Sequence, residues 1–218
     1  MESMTARHVT GISVLCTLMI LVCGCRSSPI AFPAAPSGDE LLNSERIELT
    51  FGSFGIEVVS EGPGLRVSNL YSIEGDARIC RTFAVVAYPE RIDPVLAETH
   101  ARVRGGRPIG ETFSAAGWSI RKVHRYFGEI SGLHVRPRVA ALMGLESPAV
   151  AAIHVYVLVV SRDGQTFDYA TIAEVHHPDY LTLEDLKALY GADVRRLGVQ
   201  SEGIRPILAN VRRELGAH

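Results

Sequence analysis

Apolar and polar positions alternate in short runs over residues 47–88, and Gly-rich turns separate the runs. Ile47, Leu49 and Phe51 alternate with Glu48 and Thr50, the two-residue period of a half-buried strand. A short helical lead-in is expected at 39–44. Strand character resumes over 56–60, and Glu61-Gly62-Pro63-Gly64 turns the chain. Residues 65–73 alternate again, Glu74-Gly75-Asp76 makes a second turn, and 78–88 read as a more fully buried strand. Three or four strands joined by tight turns predict an antiparallel meander.

The period then lengthens. Val95, Leu96, Thr99 and Val103 share one helical face, with Asp93 as N-cap, Pro94 in the first turn and Gly105-Gly106 as the stop. A second short helix is expected at 108–116. Residues 118–126 alternate as a strand, and 137–146 fit either a short helix or a loop. Residues 149–161 are the most apolar stretch after the N-terminal region and predict a central strand. Asp163-Gly164 makes the hairpin turn, and 166–175 form the return strand. Thr182 and Asp185 form a capping box for a helix over 182–190 that Gly191 closes, and a last helix is expected over 203–215. The fold class predicted is α+β: a single domain over residues 45–218, with a mainly antiparallel sheet packed against two to four helices. No internal repeat is visible.

Residues 9–22 are apolar and uncharged after a short segment whose only basic residue is Arg7, the layout of a signal peptide. The run is shorter than the roughly 18–20 apolar residues of a spanning helix. It ends at Val22-Cys23-Gly24-Cys25, which resembles the lipobox of bacterial lipoproteins. Gly24 leaves room for the scissile peptide before Cys25, whereas bulky Val22 precedes Cys23, so Cys25 is favoured. The resemblance implies cleavage after residue 24 and lipidation of Cys25 with diacylglycerol and an N-acyl chain such as palmitate. The alternative is an ordinary secretory signal with incidental cysteines. One acyl chain holds a protein marginally, at ~0.8 kcal/mol per buried CH₂, and two or more anchor it. Residues 25–44, rich in Pro, Ser and Ala, read as a tether from the lipid to the domain. Arg26 is not the Asp that would retain a lipoprotein at the inner membrane. For a host with two membranes the resemblance therefore implies the outer membrane, with the domain in the periplasm.

The stretches 47–60, Arg66-Val67-Ser68-Asn69-Leu70-Tyr71-Ser72, Ile79-Cys80-Arg81-Thr82-Phe83-Ala84 and Ala116-Gly117-Trp118-Ser119-Ile120 resemble a group of uncharacterised proteobacterial lipoproteins. That resemblance brings no activity with it.

The net charge of −2 gives no reason to expect a nucleic-acid partner. The partners expected are the membrane, through the lipid on Cys25, and an envelope protein or polymer. Cys16 and Cys23 leave with the signal and Cys25 takes lipid. Cys80 is then alone in an oxidising compartment and reads as a small core residue.

Three constellations could carry chemistry. Residues 103–110 are Gly-rich and basic, which suits an anion at a helix start, but a plain turn between helices explains them better. Glu174, His176, His177 and Asp179 cluster at a strand exit, with His154 or His124 as a third metal donor from a neighbouring strand. Against this stands a pair of surface histidines before a Pro turn. Arg121, Lys122, Arg125, Arg136 and Arg138 suit an anionic polymer or, more simply, a solvated strand face. No Gly-x-Ser-x-Gly presents a nucleophile. The expectation is a non-enzymatic interaction or structural module without a cofactor or a bound metal. The alternative is a metal-dependent or other hydrolase using the His176/His177 region.

Overall fold

A computed structural model of the protein describes residues 41–131, 137–145, 149–194 and 204–216. All of them fall within one compact unit, Ala34–His218. Cys25, the signal-peptide residues, Arg136 and most of the tether lie outside the described residues.

Six strands form one antiparallel sheet: β1 Gly55–Glu61, β2 Leu65–Glu74, β3 Ala77–Ala87, β4 Ser119–Ser131, β5 Val150–Arg162 and β6 Gln165–His176. Their order is β1-β2-β3-β6-β5-β4. Two three-stranded meanders thus join through the antiparallel β3–β6 pair at the centre. The β5–β6 hairpin turns on Asp163 (φ 53°) and Gly164 (φ 77°). These positive φ values suit a primed turn matched to strand twist, which is why Asp-Gly is legible there.

The helices are α1 Asn43–Phe51, α2 Ala97–Arg104, α3 Ile109–Ala115, α4 Pro137–Met143, α5 Leu183–Val194 and α6 Arg205–Leu215. A 3-10 turn, Pro94–Leu96, leads into α2, with the Asp93 carboxylate accepting from the Val95 N–H. The chain is a single α+β domain, as expected.

Helices cover both sheet faces. On the first, α4 and α6 pack Val139, Met143, Ile207, Val211 and Leu215 over Phe83, Val85, Ile153, Val155 and Val175. Cys80 is buried in this layer, and its thiol is pushed up to about 12 by burial, so it stays protonated and unreactive. The second face is divided. One end is an apolar cluster of Leu96, Val103, Phe113, Trp118, Tyr169 and Ile172 under α2 and α3. The other end is polar and lies under α1 and α5.

Two elements differ from expectation. Residues 47–51 are not a strand but the body of α1. The helix buries Asn43, Arg46 and Ile47, an i, i+3, i+4 stripe, and leaves Leu49 exposed. Two of those three residues are polar, so a reading that equates apolar with buried sees only the misleading alternation of Ile47, Leu49 and Phe51. At the end of the 182–190 helix, non-helical Tyr190 (φ −118°, ψ 17°) interrupts α5 beside Gly191, and a further helical segment that the sequence did not suggest carries on to Val194. The capping box is present: the Asp185 carboxylate accepts from the Thr182 N–H, and the Thr182 hydroxyl accepts from the Asp185 N–H. The ambiguous 137–146 stretch contains α4.

The Gly-rich 103–110 segment is held by Arg66. This buried guanidinium donates to the carbonyls of Val103 (2.9 Å) and Arg107 (3.0 Å) and to Ser68 Oγ (3.0 Å). Glu61 receives Arg104 at 3.0 Å. The loop is therefore a turn clamped onto β2. Arg66 donates to the Arg107 carbonyl and shares the Val103 carbonyl with the Gly106 N–H, so Arg66→Leu removes the clamp from the Arg107 carbonyl and lowers stability by about 2 kcal/mol. Urea unfolding checks this, and Arg66→Lys, which lacks the forked donors, should not restore the midpoint.

Candidate functional site

The polar end of the second face is built from alternate residues of four adjacent strands. Thr82 and Ala84 of β3 stand opposite His176 and Glu174 of β6. His154 of β5 stands opposite Glu174, and Tyr156 opposite Ile172. His124 on β4 pairs with Tyr156, and Phe127 with His154. A one-residue bulge between His124 and Tyr126 lets both His124 and Phe127 face this layer.

His154, Glu174 and His176 each offer a donor atom within 4.8 Å of the others, and all three are buried. Each also has an outer partner. His176 Nδ1 lies 3.1 Å from Thr82 Oγ1. His154 Nε2 lies 2.8 Å from His124 Nδ1. Glu174 Oε1 accepts from Asn43 Nδ2 (3.2 Å) and from the Tyr156 hydroxyl (3.1 Å). Asn43 donates also to Thr82 Oγ1 (3.0 Å) and accepts from the Tyr180 hydroxyl (2.7 Å). Asn43, the first residue of α1, therefore ties that helix to β3, to β6 and to the segment that follows β6. His176 Nε2 is buried without a hydrogen-bond partner among the described residues and lies 4.0 Å from Glu174 Oε2.

Aromatic rings wall the cluster. Phe127 stacks on His154 with centroids 4.6 Å apart, and Tyr190 lies 4.6 Å from His124 and 5.2 Å from His154. The kink at Tyr190 in α5 falls where that ring meets the histidines. Lys122 lies under the same helix, 5.2 Å from the Tyr156 ring centroid, and its Nζ donates to the Leu41 carbonyl at 3.3 Å.

Burial dominates the electrostatics. It lowers His176 to about 3, aided by the Lys122 and Arg46 charges. It also holds His154 well below the usual imidazole range, aided by Lys122, His124 and His176. Both rings are neutral at pH 7, each with a lone pair on one nitrogen. Neutral imidazole and carboxylate are the donor types that zinc and similar ions take.

Beside the cluster, a cavity of about 70 Å³ lies between the sheet and the chain around α1 and α3. Leu42, Phe54, Ile56, Leu70, Pro108 and Ile109 give it apolar walls, and Lys122 and Glu174 contribute charged groups.

The predicted residues divide. Glu174, His176 and His154 come together, with His124 behind His154. The histidines at 176 and 177 are not a surface pair: both are buried. His177 belongs elsewhere, accepting from the Asp179 N–H at 3.0 Å beside an open groove lined by Phe51, Arg78, Arg81 and Leu142. Exposed Asp179 does not join the cluster. Lys122 is not part of a solvated strand face, although Arg121 and Arg125 are exposed. Sequence reasoning missed Asn43, Thr82, Tyr156 and Tyr180. The available signal was His154 itself, a polar residue at the middle of the most apolar strand.

Acid should unfold this layer. His176 binds its proton at about 3 when folded and near 6.5 when unfolded, so the unfolded state holds more protons between those values. Its contribution is complete above pH 6.5 and falls by about 1.4 kcal/mol per pH unit as pH drops toward 3. His154 acts in the same direction. Urea midpoints measured from pH 7 to pH 4 should fall, and His176→Gln, which cannot take up the proton, should flatten the slope.

No protein family matches the chain, and no curated protein is similar to it.

Proposed function

We propose that the protein is a lipid-anchored lipoprotein of the bacterial envelope, held through Cys25, whose domain is a non-enzymatic interaction module facing the periplasm, with the outer membrane as its site. The supports for the anchor are the short apolar segment over 9–22, the Gly24-Cys25 pair at its end and the Pro-rich segment that follows. No helix among the described residues is long and apolar enough to cross a membrane. Residues 26–42 lie between Cys25 and α1, enough chain to lift the domain from a bilayer surface.

The observation that carries the module reading is the cavity under α1. Its volume falls well short of the roughly 300 Å³ of a pocket that engulfs a small-molecule ligand. It suits the tip of a partner, an apolar side chain or a short alkyl end. Leu42, Asn43 and Ser44, at the start of α1, line it. Hydrolysis at the histidine cluster is the second reading. The meeting of His154, Glu174 and His176 favours it, but all three side chains are buried.

Two outcomes follow. Cys25→Ser should leave the precursor unprocessed by the lipoprotein peptidase and abolish incorporation of labelled palmitate, read by gel shift and autoradiography. Unchanged labelling sinks the anchor. Ala84 lines the cavity from β3. Ala84→Val should partly fill it with little change in the thermal midpoint while reducing crosslinked capture of envelope components. Undiminished capture by the folded variant removes the cavity from the interface.

A further inference from the structure

We propose that His154, Glu174 and His176 form a divalent transition-metal site, with Zn²⁺ the ion that their two-nitrogen, one-oxygen donor set suits best. The inference goes beyond the anchored-module reading and holds whether or not the cavity receives a partner.

Three features of the geometry point there. The donors sit on adjacent strands in fixed register: His154 directly opposite Glu174, and His176 two residues along β6 on the same face. Strand positions of this kind hold side chains more firmly than loops do. Second, each donor residue has one end held by an outer partner: Thr82 on His176 Nδ1, His124 on His154 Nε2, and Asn43 with Tyr156 on Glu174 Oε1. Metal ligands are oriented in this way, the other ring nitrogen or carboxylate oxygen being held by a second layer of hydrogen bonds. One donor atom of each of the three residues lies within 4.8 Å of the others. Third, His176 Nε2 is buried with no hydrogen-bond partner among the described residues, facing Glu174 Oε2 at 4.0 Å. A buried polar atom without a partner costs about 1–3 kcal/mol, and a metal ion between the two groups removes that cost.

The donor atoms, up to 4.8 Å apart, must draw together by about an ångström to meet donor–metal distances near 2.0–2.2 Å. Side-chain rotation supplies a shift of that size. Lys122 and Arg46 place positive charge near His176 and oppose the ion, and the Glu174 carboxylate offsets them. Three protein donors leave one coordination position for water.

The test uses the full-length protein in detergent, purified with a tag free of histidine, stripped with EDTA and titrated with Co²⁺ and then Zn²⁺ at pH 7.5. Expected are one Co²⁺ per chain with the visible absorption of four-coordinate cobalt, its displacement by Zn²⁺, and a higher thermal midpoint with either ion. His176→Gln and Glu174→Gln should each weaken binding at least 100-fold, whereas His177→Gln should bind like the parent chain. Thr82 touches His176 Nδ1 without being a ligand, and Thr82→Val should weaken binding about 10-fold. Absence of stoichiometric Co²⁺ or Zn²⁺ uptake by the folded parent chain overturns the proposal, as does uptake that His176→Gln leaves unchanged. Should the glutamine variants fail to fold, the parent titration and Thr82→Val decide, and unchanged affinity in folded Thr82→Val counts against the site.

Discussion

A carboxylate sits on a central strand, almost wholly removed from water. Glu174 is 4% exposed, and a buried ionisable group is tolerated only where hydrogen bonds or charges replace its hydration. The groups that do so set much of the architecture on their side of the sheet. Asn43 can reach Glu174 Oε1 only when α1 lies across the β3–β6 junction. Tyr156 reaches the same oxygen from β5, and Tyr180 closes over Asn43 from the segment that follows β6. The placement of α1, and of the turn out of β6, is thus coupled to one side chain.

The two faces of the sheet are stabilised differently. Under α4 and α6 the contact is apolar, and area removed from water contributes about 25 cal/mol per Å² without demanding particular partners. Under α1 and α5, partners are specific, and losing one leaves the next unsatisfied. The second face is itself divided, with the rings of Phe113, Trp118 and Tyr169 filling the end under α2 and α3. The cavity lies toward α1 and α3, where residues as small as Ala84 and Ser68 meet Lys122 and Glu174. Small and charged side chains fill space less well than aromatic ones, and this accounts for a void in an otherwise packed layer.

Most strands were legible because each had an unambiguous period or turn: Gly62-Pro63-Gly64, Gly75-Asp76 and Asp163-Gly164 mark hairpins by their backbone chemistry. The α+β class followed from the same pattern. What failed was the inference that a polar residue faces water. Lys122 shares its alternation with partly buried Ile120 and buried His124 and is itself buried, and Asn43 and Arg46 form the inner face of α1. Such residues look like surface until their partners are known, and the partners lie far along the chain: Asn43 meets Glu174 across 131 positions. The histidine cluster was half legible. Alternation put Glu174 and His176 together and offered His154, but the neighbouring His177 and Asp179 belong to the exit turn, where proximity in sequence places them on a different side.

The charges around the cluster act in two directions. Lys122 and Arg46 help keep His176 neutral, and a neutral ring is the form that donates a lone pair to a metal ion. The same two cations weaken the attraction for any dication, so a site here depends on Glu174 remaining ionised and on donor geometry more than on net charge. Acid moves the balance the other way. Protonating His176 adds a third positive charge beside Lys122 and Arg46, next to Thr82 and Asn43, whose bonds hold the start of α1. The element that such a change would loosen first is therefore α1, which carries part of the cavity wall. A proton and a metal ion then compete for His176, because each needs the lone pair of the same neutral ring.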